Sequence, residues 1–312
     1  MPSRFRFGVV NEKRLSGRAW IDHVRRIEDL GLDVLLIRDH LSADALGPQW
    51  APFSALATAA ASTTSLHVGT MVLANDFRHP VVVAQEAATL ADLSGGRFEL
   101  GVGAGWFEPE YQAAGLPFDP ASARVARLQE SVRIIRSLLA GETVNLSGRY
   151  YTVEGLSLGL KGDHPPPLLI GGGGRKMLRL AARSADIVGI LPAPIRNSAE
   201  DESATDRLPA SFREKVDVLR DEAGPERFAR LELCAFATVT ITDKKRHATE
   251  RLIAERGWSV TPEEVWTMPT IFVGSIAEIS DLLVERRERF GLSYLVSSDE
   301  DAEVLAQVIQ EL

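Results

Sequence analysis

The chain has 312 residues, 45% hydrophobic and 25% charged, with 35 Lys plus Arg against 43 Asp plus Glu for a formal net charge of -8. This is the mix of a soluble globular enzyme with room for a large core, and it excludes a disordered or fibrous chain. The acidic balance, with basic residues dispersed, excludes a nucleic-acid footprint and attraction to an anionic membrane surface.

The single cysteine, Cys234, sits in an apolar run and reads as a buried small hydrophobe, so neither a disulfide nor a thiolate metal cluster is expected. The opening MPSRFRFGVV has no signal-peptide core. No apolar stretch reaches the ~18 residues of a membrane span, so a cytoplasmic location without a membrane partner is the expectation.

In chain order, residues 5–10 read as a first strand and 16–30 as a helix, with Trp20, Val24, Ile27 and Leu30 at helical spacing and Gly31 as its stop. Residues 34–37 form a short strand, apolar on both faces as parallel strands under helices are. It ends in Arg38-Asp39-His40, and a helix over 53–62 follows. Residues 66–73 are a third strand, 75–79 a polar loop, and Pro80 opens a helix carrying Val83, Ala84, Ala87, Leu90 and Ala91 until Gly95-Gly96. The fourth strand, 98–102, runs straight into Gly103-Ala104-Gly105.

A loop over 106–121 leads to a long helix, 122–139, and then a small hairpin, 144–155, turning at Ser147-Gly148. A fifth strand, 168–170, meets four glycines, 171–174, and a helix over 175–184. The sixth strand is 187–191. Residues 192–209 are polar, acidic and bounded by prolines, which suggests a surface loop or lid. A helix over 211–222, a seventh strand over 231–241, a helical insertion over 243–268, a helix over 276–290, a strand over 294–297 and a helix over 301–311 complete the chain. Eight β/α units predict a parallel sheet closed into a single-domain (β/α)8 TIM-type barrel spanning 1–312, with insertions at the C-terminal face; a doubly wound open sheet is the runner-up.

Such a barrel places its site at the C-terminal strand ends. The candidates there are Asn11 and Glu12, Asp39 and His40, residues 75–79, residues 103–106 and the glycines after the fifth strand. Asp39-His40 joins a carboxylate to an imidazole of ordinary pKa ~6.5, suited to proton transfer near neutrality. The competing reading is a turn cap beside a packed ring. GGGGRKM is no Walker loop, yet bare N–H groups at a helix start, with Arg175 as countercharge, make an anion site. A tight turn explains the same glycines. Gly101-x-Gly103-x-Gly105 does not match a dinucleotide fingerprint. Trp106, Phe107 and Tyr111 suit either the wall for a planar ring or the core. No grouping has metal-ligand spacing and no Gly-x-Ser-x-Gly elbow is present.

Arg38-Asp39-His40, GTMVLANDFRHP, the Ala-Gln-Glu-Ala-Ala-Thr-Leu helix, Ser94 to Phe98 running into GVGAGW, Gly148-Arg149-Tyr150-Tyr151, residues 170–174 and Val273-Gly274-Ser275 together resemble the bacterial luciferase-like superfamily, and within it the coenzyme F420-dependent oxidoreductases. The resemblance implies a flavin or deazaflavin lying across the strand ends. It implies a non-proline cis peptide at Met71-Val72 behind the ring, with Ala74 and Asn75 beside it. Gly103, Ala104, Gly105 and Trp106 would follow the ribityl chain, and Gly172, Gly173, Gly174 and Arg175 would meet the phosphate. Asp39 would face the polar edge of the deazaflavin, and His40 would serve proton transfer coupled to hydride movement.

That pair favours F420 over FMN. Trp106 stands where the sugar-phosphate dehydrogenase branch carries a catalytic Glu, which speaks against a sugar phosphate. The expected activity is hydride transfer between F420 and a small organic substrate, without a metal. The resemblance also implies a homodimer and an F420 or FMN reductase system as partner. The alternatives are an FMN-dependent monooxygenase fed by a separate reductase, and a flavin- or deazaflavin-binding protein without turnover.

Overall fold

Strands that are apolar on both faces need cover on both sides, and the chain supplies it by alternating them with amphipathic helices. The computed structural model describes residues 4–159, 164–192 and 204–312. Eight parallel strands close into a ring: β1 Arg6–Val10, β2 Val34–Ile37, β3 His67–Thr70, β4 Phe98–Gly103, β5 Leu168–Gly172, β6 Ile187–Ile190, β7 Glu232–Phe236 and β8 Leu292–Ser298. The ring closes where β1 pairs with β8, Arg6 opposite Tyr294. This is the expected TIM-type barrel, and the open-sheet alternative falls with its closure.

Among the described residues, eight helices surround the ring: α1 Gly17–Asp29, α2 Pro52–Ser62, α3 Pro80–Leu93, α4 Ala121–Leu139, α5 Arg175–Ser184, α6 Pro209–Phe228, α7 Ile276–Phe290 and α8 Ala302–Glu311. Among the described residues none of the helices is long and apolar enough to cross a membrane. Alternate residues point into the ring, where Val10, Val34, Leu36, Leu169, Ile187, Cys234, Tyr294 and Val296 pack together. Their outward neighbours, such as Leu35, Ile37, Phe98 and Leu100, join the larger core under the helices. Cys234 is buried there, as its apolar run suggests.

Several boundaries differ from the pattern-based reading, each for a local reason. The third strand is interrupted: β3 stops at Thr70, a cis peptide joins Met71 to Val72, and a short strand Leu73–Ala74 resumes pairing with β4. The seventh strand stops at Phe236: the Ala237 N–H makes the last ladder bond, to the Val296 carbonyl at 2.7 Å, and the Thr238 N–H turns to the Thr270 carbonyl at 2.9 Å. A second strand, Thr238–Ile241, then leaves the barrel and pairs with Ile271–Gly274, which the periodicity left unassigned. Between them the insertion is two helices, Lys245–Arg256 and Pro262–Thr267. The loop after β4 holds a further helix, Glu108–Ala113, opened by Pro109 and two acidic residues in its first turn. Of the expected loop or lid over 192–209, residues 193–203 lie outside the described residues.

The barrel is also stitched at its lower edge. Glu28 on α1 accepts the backbone N–H groups of Thr64, Ser65 and Leu66, at 2.8, 2.6 and 3.1 Å, fixing the approach to β3. Burial opposes its charge, but these donors outweigh burial and hold the carboxyl down at about 2. A folded value below the unfolded ~4.3 means the folded state binds fewer protons, so the contribution is complete above the unfolded value and is lost as pH falls toward 2. Glu28→Gln is therefore expected to lower stability to denaturant at pH 7, with the difference from wild type shrinking steadily between pH 5 and pH 2. A difference that does not change with pH would contradict this.

Candidate functional site

The C-terminal ends of β2, β3, β4 and β5 converge, and the glycines of the last two leave space there. Inward positions on β4 are Glu99, Gly101 and Gly103, and the side chain of Val72 lies over the upper two. A β-carbon on Gly103 would come within 2.6 Å of Val72 Cγ2, and one on Gly171 within 3.2 Å of Val72 Cγ1. Thr70 secures the same point, its hydroxyl donating to the Gly101 carbonyl and accepting the Gly101 N–H, both at 2.8 Å. The cis peptide expected at Met71-Val72 is present.

Asp39 follows directly from β2 and is buried, 5% exposed. Its carboxylate accepts both Arg78 guanidinium nitrogens, at 2.6 and 3.0 Å, and the Ala74 N–H at 3.0 Å. The carboxylate expected to face a cofactor edge is thus shared between a bidentate ion pair and the backbone beside that edge. Arg38, its neighbour, is held by Glu12. Asn11 donates to Asp299 at 2.9 Å.

His40 meets a partner that the sequence reading passes over. Its Nδ1 lies 3.1 and 3.3 Å from the two oxygens of Glu110, a residue only 3% exposed, which also accepts the Leu41 N–H at 3.0 Å. A carboxylate can only accept, so Nδ1 carries the proton and Nε2 is left as the basic atom. Nε2 makes no hydrogen bond with any described residue. The Trp106 ring stands perpendicular to the imidazole, centroids 5.8 Å apart. Pro109 within an acidic first turn is the signal that places Glu110 on a helix, but pairing with a residue 70 positions away has no local signature.

The aromatic candidates separate. Trp106 is exposed, whereas Tyr111 is fully buried against Phe77 and Phe118 and belongs to the core. The Tyr111 hydroxyl lies 3.4 Å from Asp76, and burial pushes its pKa up. Asp76 also pairs with Arg127 at 2.9 Å. Asn75 donates to the Tyr151 hydroxyl at 3.2 Å, so the small hairpin reaches the strand ends. His79 caps α3 by accepting the Val81 N–H at 3.3 Å and packs edge-on against Tyr151, which makes it a structural residue.

The backbone of Ala104 and Gly105 is held from outside. Arg124 donates to both carbonyls, at 3.2 and 3.4 Å, while stacking on Phe118. Gly105 has φ +74° and sits so close to the Tyr111 hydroxyl that a β-carbon would overlap it at 1.8 Å. Beyond β5, a β-carbon on Gly173 would strike the Leu191 carbonyl at 2.1 Å and one on Gly172 would meet Met177 at 2.9 Å, whereas Gly174 faces open space. Gly174 is the N-cap of α5 and has no side chain over the first turn. The Arg175 guanidinium is engaged by Glu214 at 2.7 Å, bordering an external groove of about 720 Å³ between α5 and α6. Its backbone, not its side chain, belongs to the bare helix start.

Among the described residues no group of three or more His, Cys, Asp or Glu is placed to hold a metal ion. Wild-type protein labelled with 15N-histidine is expected to show His40 as the Nδ1–H tautomer by NMR. Glu110→Leu should shift it toward Nε2–H, while Glu110→Gln, which keeps an acceptor oxygen, should preserve it. A predominantly Nε2–H His40 in the wild type would contradict the pairing.

Comparison with known proteins adds four findings. The profile of the luciferase-like monooxygenase family matches residues 5–289. The F420-dependent glucose-6-phosphate dehydrogenase of Intrasporangium calvum is 37% identical over 174 residues, 54% of this chain and 52% of that protein. Its counterpart from Beutenbergia cavernae is 39% identical over 164 residues, 51% of this chain and 48% of that one. The chain thus spans about half the length of these curated relatives. A solved F420-dependent secondary alcohol dehydrogenase, in complex with an F420-acetone adduct, superposes with a TM-score of 0.76 at 17% identity, covering 99% of each chain, which establishes the common fold.

Proposed function

The chain belongs to the luciferase-like monooxygenase family, and on that premise we propose that it is an oxidoreductase that uses coenzyme F420 to move a hydride to or from a small organic substrate. The relatives named above support the choice of cofactor, and the His40–Glu110 pair carries the choice of reaction.

Two features of the structure fit such a group. The strand ends are bare where a flat ring and its chain need close approach, since Gly103 and Gly171 contribute no side chain and leave the space to Val72 and the tip of Leu191. The first turn of α5 is open at Gly174, leaving N–H groups and the positive end of the helix dipole for a phosphate. In this reading Met71 and Val72 back the ring, Ala74 and Asn75 border it, Gly103 to Trp106 follow its chain, and Gly172 to Arg175 receive the phosphate through backbone N–H groups. When bound, the cofactor supplies a two-electron hydride carrier.

The remaining work falls to side chains of this protein. Glu110 keeps the Nδ1 proton in place, so His40 Nε2 is free to accept a proton from a substrate hydroxyl or, once protonated, to return one to a carbonyl oxygen. Asp39 acts through position: bound to Arg78 and the Ala74 N–H, it fixes the backbone that borders the ring. A homodimer and a reductase partner enter this reading on family resemblance alone.

Fluorescence titration separates the cofactors. Micromolar binding of F420, with FMN weaker by at least ten-fold, is expected; FMN binding without F420 binding would overturn the choice. Gly174→Asp should weaken F420 binding by at least ten-fold, because it sets a carboxylate at the anion site. The same change supplies an N-cap at compatible backbone angles, φ -79° and ψ 146°, so the melting temperature should hold or rise. Unchanged F420 affinity would remove α5 from the site. His40→Ala should retain F420 affinity within about three-fold and lose at least 100-fold in substrate-dependent turnover, in the range expected for loss of a general acid–base. Glucose 6-phosphate, the substrate in the relatives' names, belongs in that turnover screen. A wild type that binds F420 but turns over no substrate would favour a cofactor carrier.

A further inference from the structure

Resting on that reading, we infer that the substrate side of the site takes an uncharged aromatic compound bearing one carbonyl or hydroxyl oxygen, and that Trp106 and Leu41 hold its ring while His40 Nε2 meets its oxygen. The inference starts from where two exposed apolar residues fall. Trp106, 45% exposed, sets its ring against His40, and Leu41, 56% exposed, follows His40 in the chain with its N–H held by Glu110. Large apolar side chains left uncovered beside a polar functional atom mark a binding surface more often than a random patch.

The two residues come from different strand-end loops, one after β2 and one after β4. Glu110 joins those loops with two contacts, accepting His40 Nδ1 and the Leu41 N–H, so the apolar surface and the imidazole are set relative to each other. Trp106 presents a broad π face on a side chain with few rotatable bonds, and its ring already meets one flat ring edge-on, that of His40. The Phe107 ring lies next to it, tilted by 50° with centroids 5.2 Å apart, and extends the aromatic surface. The residue types therefore offer area and flatness, with one hydrogen-bonding atom at the centre.

Charge points the same way. The cations at the adjoining strand ends, Arg38 and Arg78, are neutralised by Glu12 and Asp39, both through two-nitrogen contacts. Neither is available to a phosphate without breaking a largely shielded ion pair, which for Arg78 would leave the buried Asp39 carboxylate alone. A sugar phosphate would bring hydroxyls and a double negative charge to a surface that offers an indole and a leucine. An aromatic ring with one oxygen matches what is present.

Acetophenone and 1-phenylethanol test the inference as probes, with acetone, 2-propanol and glucose 6-phosphate as comparators. Binding is read by isothermal titration calorimetry on cofactor-free protein and again with F420 present. The aromatic probes should bind at least ten-fold more tightly than their aliphatic counterparts. Trp106→Ala and Leu41→Asp should each weaken them at least five-fold, and glucose 6-phosphate should not displace them. Tighter binding of glucose 6-phosphate, or wild-type probe affinity in both variants, would overturn the inference. So would a sedimentation experiment in which Leu41→Asp dissociates a dimer without touching probe affinity, because the patch would then be covered by a second copy. Failure to bind F420 in the parallel fluorescence titration would count against the proposed function alone, since the cofactor-free titration still reads the aromatic site.

Discussion

The region depends on one steric constraint inside the barrel: a single valine side chain fills the space that three glycines vacate. Val72 lies against Gly101, Gly103 and Gly171 at the point where β3 is interrupted. Thr70 pins that interruption by bonding both backbone groups of Gly101. Any side chain at position 103 would push into Val72, and one at 101 would collide with the Thr70 carbonyl at 1.9 Å. The glycines therefore have two consequences at once. They let β3 and β4 approach closely, and they keep side chains off the upper mouth of the barrel, where the proposed function lays a flat ligand.

Around that bed the polar groups are arranged in pairs that cross between neighbouring loops. Asp39 with Arg78 joins the end of β2 to the segment after β3, and Glu110 with His40 and Leu41 joins the end of β2 to the segment after β4. The carboxylate of each pair is buried, so the contact resists screening, and removing Arg78 or His40 would leave Asp39 or Glu110 as a buried carboxylate without its partner. The loops that carry the chemistry are thus positioned by one another as well as by the strands. In the proposed reaction this arrangement keeps one imidazole nitrogen protonated and the other free, which is what proton transfer coupled to hydride movement requires.

Most of the scaffold was legible in the sequence because its signals are local. Runs that are apolar on both faces gave all eight barrel strands, and helical spacing with glycine stops gave the outer helices, such as Pro80–Leu93 before Gly95-Gly96. The glycine pattern and the residues after each strand also located the candidate site. What stayed hidden depends on partners distant in sequence. Nothing within a short window pairs Glu110 with His40, sends Arg78 to Asp39 or turns the Arg175 side chain to Glu214. The break in β3 was reached through family resemblance, since the apolar run there reads straight through Met71 and Val72. The bend at Ala237 was missed for the same reason: strand-forming residues continue through 231–241, and only the switch of partner at Thr238, whose N–H bonds the Thr270 carbonyl, ends the barrel strand.

The central claim, that these strand ends form a bed for F420, is tested most directly by native mass spectrometry of the full-length protein purified from a host that makes both F420 and FMN. The account expects the retained small molecule to have the mass of F420, and expects that mass to be depleted when Gly103→Val pushes a side chain into the space above Val72 while the protein stays folded by circular dichroism. Recovery of FMN in place of F420, or undiminished F420 on the folded Gly103→Val protein, would contradict it.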